Sequence, residues 1–141
     1  MINYVWPIIV VVAANTLYNI STKLTPGKVN PFASLSLTYL TATFLALLLF
    51  FLTSESKNLL TELPKTNWTA IVLGFAIVAL EFGYIYVYRV GWKISIGSLV
   101  ANISLACVLL LIGVLIYHES ISLRQLLGMV LCVLGLLLVT K

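Results

Sequence analysis

The sequence predicts an all-α integral membrane protein with five transmembrane helices, and three observations carry that prediction. Hydrophobic residues make up 62% of the chain and charged residues only 9%, whereas about a quarter of an ordinary soluble domain is charged. The charges are also confined. Residues 29–54 and 94–117 hold none, nor do residues 4–22, 66–80 and 125–140. The first two windows exceed the roughly 20 residues that a helix needs to cross about 30 Å of hydrocarbon, and the other three come close before their flanks are added. Finally, proline, glycine and asparagine stand between the windows, where they punctuate helices.

The elements follow in order. The first span covers residues 4–24 and stops at "TPGK", where Pro26 and Gly27 end it. No basic residue precedes it and no A-x-A-like site follows, so it is expected to be a retained helix rather than a cleaved signal. "NPFA" then restarts the chain, with Asn30 as the N-cap and Pro31 at the first helical position. This second span runs over 31–53. The polar stretch "SESKNLLTELPKT" is a loop with a short interfacial turn expected near 59–63.

The third span covers 67–90, and Gly91 with "KISIG" links it tightly to the fourth, 95–117. That helix ends at "YHES". Ser122 and Gln125 have capping-box spacing and open the fifth span, 122–140. Trp6, Trp68 and Trp92 fall near span ends, as interfacial aromatics should. The five spans are read as one transmembrane domain over 1–141.

The formal net charge of +4 is no nucleic-acid signal, because the lysines and arginines sit singly at span ends, where they can snorkel to headgroups. Five spans place the termini on opposite sides. Lys57, Lys65 and Arg124 then fall with the N-terminus, and Lys23, Lys28, Arg89, Lys93 and Lys141 with the C-terminus. The bias leans toward a cytoplasmic C-terminus but is weak enough to permit insertion both ways. Cys107 and Cys132 lie mid-helix and read as small apolar residues. No metal site or cofactor is expected.

Glu81 is the anomaly. A charge at mid-bilayer costs about 2.5 to 3.5 kcal/mol and usually faces a bundle interior or a watery cavity. Tyr84 and Tyr88 share its face at i+3 and i+7, with Ile77 and Gly74 on the preceding turns. The first span carries a matching stripe of Asn15, Tyr18, Asn19 and Thr22, and the fourth adds Ser98 and Asn102. Polar stripes on three helices predict a shared polar cavity. The plainer reading is that Asn and Ser bond between helices, and that Glu81 pairs with Arg89 two turns away. His118, beside Glu119 at a span end, reads as a solvated interfacial residue. Gly128, Cys132 and Gly135 stand at i, i+4 and i+7 on the fifth span, a spacing that lets membrane helices approach closely. That face is a candidate subunit contact.

The segment "ISIGSLVANISLACVLLLIGVLIYHESISLRQLLGMVLCVLGLLLV" resembles the end of an EamA-type domain of the drug/metabolite transporter superfamily. A helix ending in Glu119, followed by "SLRQLLGMVLCVLGLLLV" with Gly128 and Gly135 at the two glycine positions, carries the resemblance. The five-helix order extends it over nearly the whole chain. Longer members hold two such units as inverted repeats, so the resemblance implies half of a ten-helix transporter. Two copies would complete it as an antiparallel homodimer with dual topology. Small multidrug resistance proteins are similar but have four helices. Their first helix carries a glutamate eight residues before a lysine, and counting back from Lys23 lands on Asn15. Glu81 is the remaining acid at membrane depth.

The resemblance implies transport of a small organic solute, a metabolite or a cation, by alternating access in the plasma membrane of a prokaryote. Glu81 would take a proton or a cationic group, with Tyr84, Tyr88, Asn15, Tyr18, Asn19, Ser98 and Asn102 around the substrate. Two alternatives stay open: a lipid-linked sugar flippase subunit, or an accessory membrane protein that transports nothing. An enzyme is not expected, since the chain has no Asp, one His, and no pair of acids spaced for acid–base or metal work.

Overall fold

In a computed structural model of the protein, the backbone of residues 2–140 and the side chains of residues 5–140 are described. Among them every regular element is helical: α1 (Ile2–Leu24), α2 (Pro31–Thr53), α3 (Leu59–Glu62), α4 (Trp68–Arg89), α5 (Ile94–Leu115) and α6 (Leu123–Thr140). A 3₁₀ turn, Leu63–Lys65, extends α3. Among the described residues five helices are long and apolar enough to cross a membrane: α1, α2, α4, α5 and α6. Together with that length and hydropathy, the exposure of their apolar side chains identifies a multi-pass integral membrane protein. Trp6, Trp68, Phe75, Leu131 and Leu138 are all exposed, and hydrocarbon is the solvent that accepts such a surface.

Local chemistry sets the boundaries. The Asn30 side chain accepts the Phe32 N–H at 2.9 Å and Pro31 occupies the first position of α2, so one orphan donor is satisfied and another is missing by construction. Asn58 caps α3 in the same way through the Leu60 N–H. The Asn67 side-chain Oδ1 accepts the Thr69 N–H at 3.0 Å and starts α4. At α6 the capping box closes both ways. The Ser122 N–H donates to Gln125 Oε1 at 2.8 Å, and the Gln125 N–H donates to Ser122 Oγ at 3.3 Å.

The fourth span ends at Leu115, two residues before the sequence-based expectation. His118 adopts a positive φ of 52°, a left-handed turn that no helix continues through. The Glu119 N–H then returns to the Gly113 carbonyl at 3.0 Å. Gly91, at φ 99°, makes the tight link before α5 in a region that glycine alone enters without strain.

The chain divides into two compact units. Unit 1 comprises residues 1–20 and 90–141, so it holds most of α1 together with α5 and α6. Unit 2 comprises residues 21–89, with the last turn of α1, then α2, α3 and α4. In unit 1 α5 packs on α6, and in unit 2 α2 packs on α4. Among the described residues, Leu35, Ile85 and Tyr88 are the buried large apolar side chains.

Candidate functional site

In unit 2, α2 and α4 meet through stacked aromatic rings. Phe32 and Phe82 lie 5.0 Å apart at 11°, and Tyr86 continues the row 4.8 Å beyond Phe82. Beside this contact is an open-sided groove of about 910 Å³ lined by Phe32, Thr38, Tyr39, Gly74, Ile77, Glu81 and Phe82, among others. Gly74 contributes room, because a side-chain carbon placed there would meet nothing within 4 Å.

Glu81 is half-buried in the wall of this groove. Among the described residues the ion pair that forms is Lys65 with Glu62, at the loop surface. The structural pairing with Arg89 is not made. The Arg89 guanidinium instead donates through Nη2 to the carbonyls of Val29 (2.6 Å) and Pro26 (3.3 Å). Tyr39 brings a buried hydroxyl within electrostatic range of the Glu81 carboxylate, short of hydrogen-bond geometry. The groove therefore offers aromatic walls, one carboxylate and one nearby phenol. Chemically it suits a proton or an apolar cation, for which the rings supply cation–π attraction.

The stripe of α4 does not stay together. Gly74, Ile77 and Glu81 line the groove. Tyr88 is buried in a second hollow of unit 2, with the Lys23 ammonium 5.6 Å from its ring centre. The Tyr84 ring lies 6.1 Å from that of Tyr88. Tyr39 and Phe32 on α2, and Lys23 at the end of α1, are site residues that the sequence reading did not pick out.

Unit 1 brings the amide residues together. Asn15, Asn19, Ser98 and Asn102 line one hollow of about 530 Å³ between α1 and α5. Four hydrogen bonds tie them along their own helices. Asn19 Nδ2 donates to the Asn15 carbonyl and to Asn15 Oδ1, both at 2.8 Å. Asn102 Nδ2 donates to the Ser98 carbonyl at 2.8 Å and to Ser98 Oγ at 3.2 Å. Asn19 is buried and Asn102 exposed. The Tyr18 hydroxyl is buried as well. On α6, Gly128, Cys132 and Gly135 are exposed, and both glycines have open space in front of them. Among the described residues no group of three or more His, Cys, Asp or Glu is placed to hold a metal ion.

Comparison with known proteins gives one family. The EamA-like transporter family matches residues 1–141. No curated protein and no solved structure matches the chain.

Proposed function

Since the chain belongs to the EamA-like transporter family, and is thus a multi-pass membrane protein of a family of transporters rather than enzymes, we propose that it moves a small organic solute by alternating access, with Glu81 as the group that takes a proton or a cation. One observation carries this reading. A carboxylate sits half-buried in an aromatic-walled groove, with no cation within ion-pair distance among the described residues. An acid placed for structure alone would be matched with a cation, because an unpaired charge in hydrocarbon is costly.

The working unit in this proposal is an antiparallel homodimer that rebuilds a ten-helix transporter from two five-helix chains. What supports it is the open small-residue face of α6, where Gly128 and Gly135 have free space in front of them. Within unit 1, Asn15, Asn19, Ser98 and Asn102 are the proposed polar contacts with Tyr18 beside them, and within unit 2 Tyr84 and Tyr88 are the proposed phenols. The site of action is the plasma membrane of a prokaryote.

The test is Glu81→Gln, which keeps the shape and removes the charge. The variant should insert normally and lose the pH dependence of substrate binding or transport, while Asn15→Ala causes a smaller defect. A wild-type pH profile in Glu81→Gln would reduce Glu81 to a structural residue. Labelling a cysteine at each terminus from both sides of intact cells tests the assembly. Labelling from one side only removes the antiparallel dimer.

A further inference from the structure

We propose that unit 2 carries a second site, specific for a phosphate group, in the hollow that holds Lys23 and Arg89. This hollow, of about 370 Å³, lies between the last turn of α1, the turn after it and the last turn of α4. Its walls include Thr22, Lys23, Gly27, Tyr88 and Arg89. Cations at two helix C-termini are favoured by the helix dipoles alone, so their presence there makes no site. Three further features do.

First, Arg89 is held in place. Its Nη2 donates to the Val29 and Pro26 carbonyls, which fixes the guanidinium plane at the edge of the hollow. Second, the Arg89 Nε–H is buried with no hydrogen-bond acceptor among the described residues. A buried donor of this kind carries a desolvation penalty, and an oxyanion in the hollow would remove it. Third, the Lys23 ammonium is held near the Tyr88 ring, 5.6 Å from its centre, and lines the same space. A planar fork and a point charge converge on one cavity, with the Thr22 hydroxyl in its wall.

Arginine forks and lysine charges are the two standard protein partners of phosphate oxygens. Two positive charges also match a phosphate better than a single carboxylate. The ends of α1 and α4 lie where spans meet the headgroup region, so the phosphate belongs either to a lipid headgroup or to a soluble phosphate ester. The site is separate from Glu81. Arg89 lies eight residues after Glu81 on α4, about 12 Å along the helix, and either site can fail without the other.

The test uses the full chain purified in a neutral detergent. Native mass spectrometry reads binding of phosphatidylglycerol, and calorimetry reads binding of glycerol 3-phosphate. At least one probe should bind saturably. Lys23→Gln should weaken that binding about tenfold or more, as loss of a charge-assisted contact does. Lys23→Arg should retain it, which separates loss of charge from misfolding. Lys93→Gln, a cation of unit 1, is the control and should change it little. Binding of phosphatidylglycerol alone assigns the site to a lipid, whereas binding of glycerol 3-phosphate assigns it to a soluble ester. The proposal is overturned if neither probe binds, if Lys23→Gln binds like the wild type, or if Lys93→Gln weakens binding as much as Lys23→Gln.

Discussion

The hollow of unit 1 and the groove of unit 2 are both built from apolar spanning helices, yet they treat polar groups in opposite ways. In unit 1 the amides of Asn19 and Asn102 donate back to Asn15 and Ser98, one turn earlier on the same helix. A group satisfied within its own helix is tolerated in hydrocarbon at little cost. In unit 2 Glu81 has no such option, because an ionised carboxylate only accepts hydrogen bonds and the helix ahead of it offers no free N–H. It faces an aromatic groove with Tyr39 as its polar neighbour. The difference teaches which polar residue of a membrane helix to suspect of chemistry. An amide can close on itself, whereas a carboxylate keeps its demand for a proton or a cation.

The largest effect should come from erasing the contrast. Asn15→Glu places a carboxylate in the amide hollow, replaces the Asn15 Oδ1 that accepts from Asn19 Nδ2 and adds a mid-membrane charge. The expected loss of stability is up to about 3 kcal/mol, read as a fall in thermal unfolding temperature in detergent. A variant as stable as the wild type would mean that the unit 1 hollow already accommodates an acid.

A smaller effect is expected on the open face of α6. Gly128→Leu or Gly135→Leu should weaken subunit association by about 1 kcal/mol, by analogy with small-residue packing in membranes. The dimer fraction against detergent concentration measures it, and an unchanged fraction would count against this face as the contact of the proposed dimer.

Asn102→Leu sharpens the comparison further. It removes an exposed amide whose bonds go to its own helix, so about 0.6 kcal/mol or less should be lost. A loss several times larger would show that Asn102 also bonds across the assembled protein. The smallest effect belongs to Gly113→Ala. The new methyl would meet Glu119 Oε2 at 2.7 Å, but that atom is the far end of a flexible side chain and can swing aside. The expected change is within about 0.5 kcal/mol, measured by the same thermal unfolding.

The five spans were legible because charge, proline and asparagine mark them at every end. Asn30, Pro31, Ser122 and Gln125 act in the structure by the local chemistry that their spacing announces. The short turn near residues 59–63 became α3 for the same reason, since Asn58 caps it. The pairing of helices was not legible. α2 is apolar on every side, so nothing in its sequence says that Tyr39 and Phe32, rather than Phe44 or Leu48, meet α4. The stripe from Gly74 to Tyr88 was visible as one helical face. Its division between two hollows depends on how α1 and α2 end, and helical periodicity holds no information about that. Lys23 was read as a headgroup anchor because its partner, the Tyr88 ring, lies 65 positions later in sequence. The early end of α5 depends on His118 entering a left-handed turn, which no residue type other than glycine announces.

Arg89 gives the second unit an order of assembly. Its guanidinium holds the carbonyls of Pro26 and Val29 from 63 and 60 residues downstream. A chain emerging from the ribosome completes α1, the turn after it and α2 long before Arg89 exists. The turn between α1 and α2 is therefore made without this clasp and reaches its final form only when the last residue of α4 has been added.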